Sequence, residues 1–221
     1  MIAMLLAAAA SSGIAAFRAD FPGASVVESP SGGRLTSASG FEARDLGESP
    51  QAAARAFLVR YGAAFGISRK QRLVLRDAAP EGQLGRVRFG RKIDGLPVFD
   101  GDIVVGVAAG NAVILVNASD VPGATSGRFR VSRKTAIRLA LKELPKLTTS
   151  NSPRACRGWK AVGSALRPAW RVDLTAERPP GDWRTYVDAQ TGKVVLRTNR
   201  RSAPDPAGPR PAPGSLEKTT P

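Results

Sequence analysis

One pattern occurs twice along this 221-residue chain: a capped stretch with apolar residues at helical spacing, followed by apolar–polar alternations cut by turn residues. In the first copy Ser49-Pro50 supplies an N-cap and a proline at the first helical position, where a missing N–H costs nothing. Ala54, Phe57, Leu58, Tyr61 and Phe65 then recur at helical spacing, which predicts a helix over 50–64, stopped near Gly66. Strand signals follow at Leu73–Leu75 and at Val87 and Phe89, which alternate with Arg86, Arg88 and Gly90. Asp94-Gly95 reads as a turn, and Val98–Ala108 with Ala112–Val116 as a hairpin closed by Ala109-Gly110-Asn111. In the second copy Ser132 caps a helix carrying Ala136, Ile137, Ala140, Leu141 and Leu144, ended by Pro145. A polar loop over 146–157 and strands around Trp170–Leu174, Trp183–Val187 and Val194–Leu196 complete it, with turns at Pro179-Pro180-Gly181 and Gln190-Thr191-Gly192. A one-sided helix and one-sided strands hide their apolar faces by packing on each other. The expected fold is therefore α+β: two small modules, each a helix packed on an antiparallel β-sheet, over residues 49–121 and 128–199.

The remaining segments read differently. Residues 1–16, MIAMLLAAAASSGIAA, are apolar and small, shorter than the roughly 20 residues that span a bilayer. They read as a secretory signal, with an apolar core from Ile2 to Ala10 and small residues that fit cleavage after Ser12 or after Ala15, so the expected location is secreted or periplasmic. No Lys or Arg precedes the apolar core, which departs from the rule; read as structure, the same run is an Ala-rich buried helix. Residues 17–48 form an irregular leading segment with a Gly-Gly hairpin at Ser31-Gly32-Gly33. Residues 122–127 are a linker, and 200–221 a Pro-rich tail expected to be disordered or polyproline-like. Arg200-Arg201 before that tail is a candidate processing pair.

Composition removes much chemistry. With no histidine, the chain lacks the commonest general base and zinc ligand and the middle member of every Ser/His/Asp or Cys/His arrangement. Cys156 is the single cysteine and reads as a small packed hydrophobe. Asp100 and Asp102 share a strand face, whereas a glycosidase needs its acids across a cleft, so they read as a solvated turn and strand edge. Ser132 and Lys134 hold the atoms of a dyad at a helix start, where a capping role suffices for the serine. No glycine spacing makes a phosphate loop. Catalytic, cofactor and metal residues are thus expected to be none. Lys and Arg number 33 against 18 acids, a charge of +15 that attracts anionic partners, although the basic residues are scattered rather than in runs.

Two stretches resemble known modules. Gly85–Ser119 resembles the fungalysin/thermolysin propeptide (FTP) module through Gly95, Pro97, Val98, Gly101 and Asp102, spaced G-x-P-V-x-x-G-D, with 49–67 similar to its leading helix. The second half resembles the PepSY module, with Trp170 and Trp183 on aromatic strands and the D-A-x-T-G-x-V turn at Asp188, Thr191 and Gly192. The resemblance implies a secreted zymogen's prosegment that assists folding of a thermolysin-like metalloprotease and blocks its cleft, with the matched residues acting as scaffold. In that family an HExxH protease domain follows, whereas this chain reaches Pro221 without a histidine. The chain is therefore expected to be a freestanding prosegment, a remnant or a truncated gene product, acting as a non-catalytic inhibitor or folding assistant that is monomeric when free. The alternative is an exported basic binding module for anionic envelope polymers or nucleic acid.

Overall fold

The computed structural model describes residues 13–81, 84–142, 148–149, 151–178 and 180–202; the leader core and nearly all of the Pro-rich tail lie outside them. Residues 13–20 are helical (α1) and lead into β1 (Ser25–Glu28), β2 (Leu35–Ala43), α2 (Pro50–Tyr61) and a 3₁₀ turn, Gly62–Phe65. Strands β3 (Gln71–Glu81), β4 (Leu84–Ile93), β5 (Leu96–Phe99), β6 (Ile103–Val107) and β7 (Val113–Ala118) follow. After α3 (Arg133–Lys142) come β8 (Thr148–Thr149), β9 (Arg154–Val162), β10 (Ala165–Arg178), β11 (Pro180–Asp188) and β12 (Val194–Asn199). The structure is thus mixed, with few helices and one large sheet of order β1-β2-β7-β6-β4-β5-β9-β10-β11-β12, with β3 on β4 and β8 on β10. Its strand pairs among the described residues are antiparallel except β5 with β9.

The expected separation of two modules gives way here to one continuous sheet. Helix α2 lies on β4, β6 and β7, and α3 on β9, β10 and β11. Ser49 accepts from Ala52 N, and Gly66, at φ +69°, ends the helical run with its N–H on Ala63 O. Ala53, Ala54, Phe57, Leu58 and Tyr61 form its buried stripe, against Val87, Phe89, Ile103, Val105 and Val116. Ser132 accepts from Thr135 N at the start of α3, whose buried residues are the small Ala136 and Ala140. Residues 122–127 are laced to β10: Leu166 donates to Ala124 O and accepts from Ser126 N.

The leading segment is ordered rather than irregular. Leu35, Ala38, Phe41 and Ala43 of β2 point inward, and β2 lies between β1 and β7. Its register with β7 shifts between Ser39 and Ala43, around Gly40 at φ +71°. That bulge breaks the period-2 alternation by which a strand is read from sequence. Likewise β9 begins at Arg154, inside the stretch expected to be loop.

Two devices hold the first half. Phe17 of α1 is fully buried, with the rings of Phe21, Phe41, Phe57, Tyr61 and Phe65 at centroid distances of 5.1–6.4 Å. The other is Arg91 on β4, fully buried, donating to Phe65 O at 3.3 Å, Ser119 O at 3.2 Å, and Gly66 O and Gln71 Oε1 at 3.4 Å each. It gathers carbonyls from the end of the helical run, where the macrodipole is negative. Burial, reinforced by the Arg34 charge and opposed by Asp120, lowers its pKa to about 10, so it stays charged at neutral pH.

Phe17→Ala is expected to lower unfolding free energy by about 3–5 kcal/mol, since it opens a ring-sized void in a tightly packed cluster. Urea unfolding checks this, and a loss below about 1 kcal/mol would show α1 to be an accessory rather than part of the core.

Candidate functional site

The residues of the G-x-P-V-x-x-G-D stretch, 95–102, build the place where the two halves of the sheet meet. Asp94 and Gly95, at φ +49° and +75°, form the two-residue turn between β4 and β5. Strand β5 pairs with β4 through Lys92↔Pro97 and Ile93↔Leu96, and with β9 through Val98↔Trp159 and Phe99↔Lys160. Successive side chains of β5 go to opposite faces. Val98 packs with Ile93, Val121, Trp159 and Leu166, and the Trp159 indole donates to Ile93 O at 3.2 Å. Gly101 admits Val98 to this cluster: a β-carbon there would stand 2.7 Å from Val98 Cγ1.

Phe99 goes the other way, to Ala169, Tyr186 and the half-buried Cys156. Charged groups roof this layer. Arg171 lies over the Phe99 ring at 5.4 Å, and Lys160 over Tyr186 at 5.0 Å. Asp100, contributed by the first half in a left-handed conformation at φ +54°, accepts from Lys160 Nζ at 2.7 Å and from the Tyr186 hydroxyl at 3.0 Å, both in the second half. Beside them Asp173 takes Arg184 Nε at 2.7 Å and lies 2.9 Å from Arg171 Nε.

Burial pushes the Asp100 carboxyl up, but the hydrogen bond and charge of Lys160, with help from Tyr186 and Arg184, outweigh it and hold it below its ordinary value. Burial, then the charge and hydrogen bond of Asp100, hold the Tyr186 phenol protonated far above the usual range. Burial also raises the Cys156 thiol, against the pull of nearby arginines, which suits a packing role rather than a thiolate. Among the described residues no group of three His, Cys, Asp or Glu is placed to hold a metal ion. What the arrangement does is clamp: a carboxylate of one half is held between a cation and a phenol of the other.

The other residues singled out from sequence lie elsewhere. Asp102 is 4.0 Å from Arg88 Nη1 on the first half's strands. Trp170, beneath α3, donates to Val131 O at 2.8 Å; Trp183 packs with Leu174 and Ala176. Asp188 is buried and accepts from Gln190 N and Thr191 N, both at 2.8 Å, while Thr191 Oγ1 accepts from Lys193 N. Gly192, at φ +79°, brings this turn against Leu139 of α3. Arg200 and Arg201 occupy a short 3₁₀ turn, with Arg201 paired to Asp182 at 3.1 Å. Sequence reasoning missed the half-exposed Asp100 as an anchor between the halves, and with it Phe99, Lys160 and Tyr186. Phe99 and Asp100 stand beside matched positions; Lys160 and Tyr186, 60 and 86 residues from Asp100, carry no local sign of it.

The Fungalysin/Thermolysin Propeptide Motif matches residues 74–119, from within β3 through β7, and so holds the β5 side of the seam. Bacillolysin of Bacillus amyloliquefaciens is 26% identical over 162 residues, 67% of this chain and 31% of its own length. Bacillolysin of Bacillus subtilis (strain 168) is 26% identical over 125 residues, 51% of this chain and 24% of its own. The chain thus spans less than a third of the curated relatives it matches. The solved Bacillus megaterium YpeB C-terminal domain aligns over 85% of this chain and 95% of itself, at 13% identity and a TM-score of 0.39, too loosely to assign a shared topology.

Because the Asp100 carboxyl is held low in the fold, its stabilising contribution is complete above the unfolded value of about 3.9 and is lost as pH falls through the lower folded one. Asp100→Asn is expected to cost about 1 kcal/mol at pH 7, a modest figure because the group is half exposed, and to flatten the loss of stability below about pH 4. Urea midpoints against pH test this; parallel acid limbs for the two proteins would refute it.

Proposed function

We propose that this chain is a non-catalytic, propeptide-like protein that binds a secreted thermolysin-like zinc metalloprotease, inhibits it and assists its folding. The observation that carries the reading is the propeptide motif over residues 74–119, supported by the Bacillolysin similarity. In this reading the half bearing α2 is an FTP-like module and the half bearing α3 a PepSY-like one, joined by the seam and monomeric when free. The chain is exported behind a leader, acts outside the cytoplasm, and carries no protease chemistry of its own, in keeping with a sequence without histidine. No helix among the described residues is long and apolar enough to cross a membrane. Arg200 and Arg201 would lie at a processing boundary before the Pro-rich tail.

A second reading, an exported basic module for anionic envelope polymers or nucleic acid, is favoured only by the charge of +15. Mixing the purified chain with a bacillolysin should give reversible, stoichiometric inhibition that disappears when the modules are proteolysed, and should raise the yield of protease refolded from denaturant. No effect on either activity or refolding would defeat the proposal. Binding to duplex DNA that weakens by roughly 0.9 in log affinity per contacted phosphate for each log unit of salt would support the second reading instead.

A further inference from the structure

Helix α3 carries cations that the fold leaves unpaired. Between Asp120 and Glu143 the sequence holds six bases, Arg128, Arg130, Arg133, Lys134, Arg138 and Lys142, and no acid. None of the six makes an ion pair among the described residues, whereas Arg18, Arg34, Arg60, Arg88, Arg171 and Arg184 each meet a carboxylate. Ala136 and Ala140 turn α3 toward the sheet. Lys134, Arg138 and Lys142, four residues apart, are exposed along the opposite side, with about 6 Å of helix rise from one to the next. This ridge works against the helix that bears it. Like charges at i, i+4 repel, and Arg133 and Lys134 stand in a first turn without an acid, at the positive end of the macrodipole. An anionic partner along the ridge relieves both.

The flanks of the ridge select the partner. Ile137 and Leu141, half-buried, run along one side of it, and α3 carries no aromatic, Asn or Gln to stack on a base or read its edge. Cations on the convex side of a helix, beside an apolar flank, suit a flat layer of headgroups that approaches from one direction and accepts that flank. We infer that the outer ridge of α3 binds the surface of a bilayer rich in anionic phospholipid. The apolar face of α3 is already packed on the sheet, so the contact is made at headgroup level, is reversible and weakens as salt rises. This binding goes beyond the protease reading and does not depend on it.

The test sediments the full chain with vesicles of phosphatidylcholine alone and with vesicles of equal parts phosphatidylcholine and phosphatidylglycerol. Binding is expected to the second kind only, and to fall with added salt. Lys134→Gln/Arg138→Gln/Lys142→Gln should weaken it by roughly fivefold per residue, about a hundredfold in all. Arg69→Gln/Lys70→Gln/Arg72→Gln removes the same charge from exposed positions of the first half and should change it by less than about threefold. Thermal melts establish that each variant is folded; should the α3 triple unfold, Arg138→Gln alone carries the comparison, with a loss of about fivefold. Equal weakening by the two triple variants would overturn the assignment, because diffuse charge and not the ridge would then be responsible. So would binding that ignores phosphatidylglycerol, or a preference for duplex DNA over the anionic vesicles.

Discussion

Four residues, Leu96 to Phe99, must serve two neighbours at once. Strand β5 is paired antiparallel to β4 on one side and parallel to β9 on the other, so both edges are spoken for. A proline inside such a strand is ordinarily excluded because it cannot donate to a ladder. Pro97 is tolerated because pairing with β9 is confined to Val98 and Phe99. Close approach needs a second concession: a β-carbon at Gly158 would stand 2.6 Å from Pro97 O and 2.5 Å from the Phe99 ring. With both conditions met, alternate side chains of β5 enter different clusters, Val98 on one face and Phe99 on the other, and the two halves share a hydrophobic seam.

The elements that could be read from sequence are those whose signal is local. Both capped helices announce themselves through Ser49-Pro50 and Ser132, and the β4–β5 turn through Asp94-Gly95. What could not be read depends on partners far away. The bulge around Gly40 scrambles the inward pattern of β2, so a nine-residue strand looked irregular. The parallel pairing of β5 with β9 joins residues about 60 apart and leaves no trace in either strand's pattern. Nothing in the sequence sets Arg91 apart from the other scattered basic residues, because a carbonyl cage has no side-chain signature apart from Gln71.

The same reasoning explains how the propeptide-like pattern relates to chemistry. Apart from Asp102, its matched residues are small, turn-forming or apolar because they set backbone paths, while Asp100, whose carboxylate is bonded across the seam, sits at an unmatched position inside it. A left-handed φ at an aspartate is uncommon but tolerated for this residue type, and here it aims the carboxylate at Lys160 and Tyr186. The strain and the clamp are thus one feature. It orders the junction between halves rather than assembling a nucleophile and a base.

Charge follows a related logic. Many of the acids are already engaged inside the fold: Asp20 with Arg60, Asp120 with Arg34, Asp173 with Arg171 and Arg184, Asp182 with Arg201, and Asp77 with Arg86. With 18 acids against 33 bases, local pairing leaves a basic surplus, and the basic residues are scattered along the sequence of both halves. Arginine stems also cover apolar sheet surface, as Arg171 does over Phe99 and Arg55 over Phe89. A surplus distributed in this way raises the encounter rate with an acidic partner and makes it salt-sensitive, without specifying where that partner docks. Under the proposed function, specificity for the protease would then come from shape, which the shared sheet and its seam set.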